Sequence, residues 1–248
     1  MPNNHHAKPP REDTVISPKF TLRDWKQMRK QLALENADGV LWVKAFDVLS
    51  ERWHKRYLVP IEWIHSAKGP ENSEGEGFAI MTIACCLFES FAAAYSGKLY
   101  HYDQAVRLEF DPWAYKDPEC CYLQILQKHP QFLMDADLSK RFYRGIRCGL
   151  IHESRTKAEL RIHCDSQRTE IAWATDCSTI INRYAFVKRL EGAIDQMRSD
   201  IKHDKKDFAD KSCRLNLARH MDWTFGLFDG HPCQTLNTES KKPWWVKP

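Results

Sequence analysis

The sequence lacks the marks of several common catalytic and metal-binding scaffolds. No Cys-x-x-Cys pair occurs among its nine cysteines, so a zinc ribbon has no ligand pattern to stand on. No Gly-x-Ser-x-Gly elbow is present to carry a Ser–His–Asp hydrolase nucleophile, and no glycine-rich loop is present to cradle a phosphate. Internal repeats and low-complexity tracts are also missing. The opening stretch MPNNHHAKPPRED has no apolar core, which argues against a secretory signal. The formal net charge of +4 is too small to indicate nucleic acid by itself.

The nine cysteines are an odd count, and two pairs are adjacent, Cys85-Cys86 and Cys120-Cys121. Neighbouring cysteines bridge only with strain, so reduced, mostly buried thiols in a cytoplasmic protein are expected. His163, Cys164 and Cys177 come nearest to a zinc set, but their spacing suits no common site. No metal and no cofactor is expected.

What is present is a sizeable core. A hydrophobic share of 43% and an aromatic share of 12% over 248 residues exclude general disorder. Residues 1–20 read as a flexible, polar N-terminal arm, 21–205 as one helical domain, and 206–248 as a loosely packed C-terminal extension. Trp42, Phe46, Leu49, Trp53 and Tyr57 recur at helical steps, and Pro60 is expected to stop that helix. Gly69-Pro70, Gly75 and Gly77 mark a loop. The run from Phe78 to Tyr95 is apolar nearly all round and long enough to span a bilayer, yet it contains Glu89. A buried core helix is the better reading than a membrane span, and Glu89 then requires a partner.

A short helix is expected around residues 122–127. Asp137 is expected to cap a helix through Leu138, Phe142, Ile146 and Leu150 that ends near Gly149. A small hairpin should pair Leu160–Cys164 with Ile171–Trp173. Val187, Leu190, Ile194, Met197 and Ile201 mark a final long helix. Four substantial helices with a hairpin between the third and fourth close most simply into a mainly α four-helix bundle. His54, His203 and His220 read as surface residues.

The densest cationic segment is KRFYRGIRCGLIHESRTK, residues 140–157, with one acid, Glu153. Lys140, Arg141, Arg144 and Arg155 could neutralise phosphates, and Tyr143 could stack on a base. The plain alternative is a solvated helix face. Arg147 lies among Ile146, Cys148, Leu150 and Ile151 and needs an anionic partner there. Pairing with Glu89 would satisfy both. His152 follows five residues later, about 140° further round an unbroken helix. The two converge only if the helix ends near Gly149 or if two copies meet about a two-fold axis, so a homodimer is expected.

The hexad Arg147-Cys-Gly-Leu-Ile-His152 resembles the arginine–four residues–histidine motif of the HEPN superfamily. The likeness extends to Arg56-Tyr57-Leu58 with Pro60-Ile61, to Gly75-Glu76-Gly77-Phe78 opening the helix of Glu89, and to Phe142-Tyr143 before the hexad. It covers roughly residues 40–203 and is similar to a group of uncharacterised bacterial proteins. The resemblance implies a HEPN-like four-helix bundle, usually homodimeric, with paired sites at the interface. It implies a metal-independent endoribonuclease, a toxin or phage-defence effector with a possible antitoxin or partner protein, or a non-catalytic binding module. The residue after the arginine, often polar in active members, is Cys148 here.

RNA cleavage without a metal requires proton transfer at the ribose 2′-hydroxyl and charge stabilisation at phosphorus. His152 suits the acid–base role and Arg147 the phosphate clamp, with Glu89 orienting the guanidinium. The competing expectation is that Arg147 and Glu89 form a buried ion pair and that His152 favours a helix C-terminus as a cation would.

Overall fold

The computed structural model describes residues 11–32, 39–66, 75–100, 114–115, 118–157 and 159–225. The protein is mainly helical with small sheets. Two short strands, β1 (Val15–Ser17) and β2 (Phe20–Thr21), pair antiparallel ahead of α1 (Leu22–Arg29). Thr21 and Asp24 form a reciprocal capping box that starts α1. Residues 11–20 are therefore not the mobile arm expected: Ile16 is buried, and Ser17 donates to Glu51 at 2.9 Å. Residues 1–10 lie outside the described residues.

Helix α2 (Val40–Trp53) continues without a break through a π-helical segment, His54–Leu58, into α3 (Val59–Ser66). Trp42, Phe46, Leu49 and Trp53 are buried along one face. Pro60 does not end the helix. The wider turn before it, closed by a bond from the Val59 N–H to the His54 carbonyl, accommodates a residue that has no N–H of its own.

Helix α4 (Glu76–Ser96) is the central element and touches α3, α5, α8 and α9. It is the one described helix long and apolar enough to cross a membrane, but 56% of its most apolar window is buried inside the fold, as in a core helix. It stops at Gly97, whose left-handed φ of 59° and closeness to Asn216 leave no room for a side chain. Strands β3 (Leu99–Tyr100) and β4 (Ala114–Tyr115) pair in parallel.

Helix α5 (Pro118–Lys128) is longer at both ends than the segment expected. Asp135, not Asp137, caps α6 (Ala136–Arg141), accepting from the Leu138 N–H at 2.8 Å. From α6 the helix runs through a second π-helical segment, Phe142–Cys148, into α7 (Gly149–Glu153). It ends at Ser154 and not near Gly149. Phe88 of α4 joins the surrounding elements through Tyr122, Phe132 and Phe186, with ring centroids 4.3, 5.1 and 5.7 Å away.

The expected hairpin is a three-stranded mixed sheet instead. Its middle strand β7 (Thr179–Asn182) pairs in parallel with β5 (Leu160–His163) and antiparallel with β6 (Ala172–Ala174). Buried Asn182 binds the carbonyls of Asp165 and Arg168 at 2.9 and 3.2 Å, which turns β5 away from β6. Helix α8 (Arg183–Lys202) follows and buries Leu190, Ile194, Met197 and Ile201.

The chain after residue 205 is not loose as far as Phe225. Helix α9 (Cys213–Thr224) buries Leu217, Ala218 and Met221 against α4 and α8. Asn216 donates to the Tyr95 carbonyl at 2.8 Å, and Trp25 donates to Asp222 at 2.9 Å. His220, expected at the surface, is buried in this helix. Residues 226–248, with Trp244 and Trp245, lie outside the described residues.

Candidate functional site

Glu89 sits on the side of α4 that meets the second π-helical segment, and Arg147 reaches it from there. One carboxylate oxygen accepts from Arg147 Nη2 at 2.6 Å and from Nε at 3.1 Å. Both side chains are mostly but not fully covered, at 13% and 26% exposure, so the pair forms a niche and is not sealed in the core. Burial opposes the charge on Arg147, and the Glu89 carboxylate outweighs it, holding the guanidinium above its ordinary pKa. Among the described residues the third nitrogen, Nη1, meets only the Cys148 sulfur, at 3.8 Å. Its donor capacity remains largely unused, which is the feature a phosphate oxygen needs.

The Arg147 guanidinium lies 5.4 Å from the Tyr143 ring centroid, one helical turn back. Tyr143 is buried and packs edge-on against Tyr122 at 5.2 Å, so its face is not open to a base. Its role is to support Arg147. That contact was missed in the sequence, although its four-residue spacing was a usable signal. Half-buried Cys86 adds no nucleophile: burial, and then Glu89, push its thiol up.

His152 is exposed in the last turn of the same helix and has no hydrogen-bond partner among the described residues. Because the helix passes Gly149 unbroken, the turn that brings Arg147 to α4 carries His152 towards solvent. One chain thus joins Arg147, Glu89 and Tyr143, and His152 makes no hydrogen bond or ion pair with any of them.

The arginines expected to hold flanking phosphates already have carboxylate neighbours. Arg144 lies 3.3 Å from Glu119, Arg155 lies 3.0 Å from Glu153, and Lys157 pairs with Glu153 as well. Arg141 lies 3.6 Å from Asp137 and donates to Thr179 Oγ1 at 3.0 Å. Lys140 is exposed and has no partner among the described residues. Glu119 and Asp137 stand outside the segment that reads as cationic, and this softens its charge. Arg144 and Arg155 nevertheless remain 70% exposed, so their ion pairs are weak and exchangeable. Among the described residues no group of three His, Cys, Asp or Glu side chains converges as metal ligands.

Comparison with family models, curated proteins and solved structures finds no match for this chain.

Proposed function

We propose that this protein is a HEPN-like, metal-independent endoribonuclease that acts as a homodimer. The observation that carries the reading is the Arg147 niche. Glu89 fixes the guanidinium through Nε and Nη2, while Nη1 is left with a thiol alone, at the base of a helix end that bears exposed cations and an unpartnered histidine. Arg147 clamps the scissile phosphate, and His152 moves the protons of 2′-hydroxyl attack and leaving-group departure. The products carry a 2′,3′-cyclic phosphate and a 5′-hydroxyl. Arg144, Arg155 and Lys140 hold flanking phosphates by exchanging their surface carboxylates for RNA. On this reading α2–α3, α4, α6–α7 and α8 are the four helices of the bundle. The protein works in the cytoplasm as a toxin or phage-defence effector, with an antitoxin or partner protein to restrain it.

Arg147 is turned onto α4 while His152 is exposed to solvent in the last turn of the same helix, so on this reading two copies supply the site. Each protomer's histidine serves the arginine of the other. The test is cleavage of structured and unstructured RNA in the presence of EDTA. His152→Ala replaces an exposed side chain, leaves the fold intact and abolishes cleavage. Mixing inactive Arg147→Ala and His152→Ala proteins restores about a quarter of the wild-type rate, because half the dimers are mixed and each has one intact site. Intact RNA at high protein excess, or full cleavage by His152→Ala, defeats the proposal.

A second reading is a non-catalytic dimeric module that binds a partner protein or nucleotide through the same helix. The carboxylates already beside Arg141, Arg144 and Arg155 favour it, since RNA has to displace each of them before it can bind these side chains. Binding without any cleavage, unchanged by His152→Ala, distinguishes it.

A further inference from the structure

A crevice of about 120 Å³ opens where the first π-helical segment and α3 meet α4 and α8. Leu58, Ile61, Ile80 and Val187 form its apolar wall. Its volume far exceeds the ~10–15 Å³ that a single water needs, yet suits only a short ligand.

Arg183, the first residue of α8, is part of the same wall and is 95% covered, with 5% exposure. Its Nη2 donates to Glu76 Oε1 at 3.0 Å. Its Nη1 is buried and has no hydrogen-bond partner among the described residues. A buried guanidinium with an unmet donor is costly unless an acceptor arrives to meet it. Gly77 stands against that nitrogen, and a Cβ there would come within 3.2 Å of it.

We propose that this crevice binds a short aliphatic carboxylate. The alkyl chain lies along Ile61, Ile80 and Val187, and the carboxylate turns the Arg183 guanidinium to engage Nη1. Glu62 and Glu191 also line the crevice and disfavour a dianion, because Lys188 offsets them only in part: it already donates to Glu191 at 2.8 Å. A single charge on an apolar tail is therefore the fitting ligand. The site stands apart from the Glu89–Arg147 niche, which lies about 14 Å further along α4 from Ile80 by helical rise. It does not depend on any nuclease activity.

The test uses the full chain with hexanoate, 1-hexanol and hexylamine as probes, read by calorimetric titration and thermal melting. Hexanoate binds saturably and raises the melting temperature by about 3–6 °C at tenfold excess over its dissociation constant. Hexanol binds about 10–100-fold more weakly, because it lacks the charge-assisted bond. Hexylamine does not bind. Arg183→Met removes the preference for hexanoate over hexanol. Val187→Phe fills the crevice and removes binding of both, and it decides the matter if Arg183→Met does not fold. Equal affinity for hexanoate and hexanol, tighter binding of hexylamine, no binding at millimolar concentration, or undiminished binding in folded Val187→Phe each overturns the proposal.

Discussion

The Glu89–Arg147 pair has two separable roles, and substitutions can part them. Glu89→Gln keeps the shape but leaves a mostly covered guanidinium without its carboxylate. A loss of about 1.5–3 kcal/mol in urea-measured stability is expected. Glu89→Leu combined with Arg147→Met, which removes both charges, should recover most of it. A double variant no more stable than Glu89→Gln shows that shape and not charge limits the niche. Two histidines predict a different response. Burial holds His129 and His220 neutral and lowers each from 6.5 to about 4. Below pH 6.5 the unfolded chain takes up protons that the folded chain refuses, so stability is complete above that pH and drains away as pH falls towards 4. At pH 5 each histidine should cost about 2 kcal/mol, visible as a lower urea midpoint than at pH 7. His129 sits edge-on to Tyr95 and Phe91 at 5.5 and 5.8 Å, so His129→Phe should flatten part of that dependence. A midpoint unchanged between the two pH values argues against buried neutral histidines. The need for a partner to Glu89 was legible in the sequence because a carboxylate in an apolar helix has few ways to be satisfied. The burial of His220 was not, since it depends on a distant element covering it.

Both interrupted helices continue where a straight α-helical reading ends them, and the cause differs. Before Pro60 the π-helical turn accommodates a missing donor. At Gly145 and Gly149 the helix must pass close to Arg155, Lys157 and Leu160 of the returning chain. A Cβ at Gly149 would fall 2.4 Å from the Arg155 carbonyl oxygen, and one at Gly145 would fall 2.6 Å from Leu160 Cδ1. Glycine near residue 149 suggested a helix end in the sequence, whereas the structure uses it for close approach, and no local pattern separates those uses. Gly149→Ala should therefore destabilise by about 1–3 kcal/mol despite alanine's better helix propensity. Gly192 in α8 faces only the tip of the Gln131 side chain at 3.0 Å, which can move. Gly192→Ala should be neutral or stabilising by up to about 1 kcal/mol. Thermal melts of the two variants check the contrast, and equal shifts refute the packing account. The hairpin expectation failed similarly: alternation identified the two outer strands but not the middle strand β7, and Asn182, binding two loop carbonyls, decides which strands are neighbours.

The long helices were legible because each buries one periodic face, and α4 because it is apolar throughout. The fold needs α9 as well, whose sequence conceals it. Cys213, Leu217 and Met221 are spaced as a buried stripe, but Arg214, Asn216, His220 and Asp222, also buried, interrupt any hydrophobic signal. Their partners come from elsewhere in the chain. Arg214 donates to the Ile201 and Lys202 carbonyls at 3.0 and 2.7 Å, closing the end of α8. Asn216 binds Tyr95 near the end of α4, and Asp222 holds Trp25 of α1. Helix α9 thus ties the ends of two core helices to the N-terminal element, and those carbonyls lose their donors without it. A chain ending at Lys205 should lose its cooperative thermal transition and bind hydrophobic dye, while one ending at Phe225 should melt as a single unit. If the shorter chain melts cooperatively at the same temperature, α9 is an addition to a bundle that is complete without it, and the domain boundary expected near residue 205 stands.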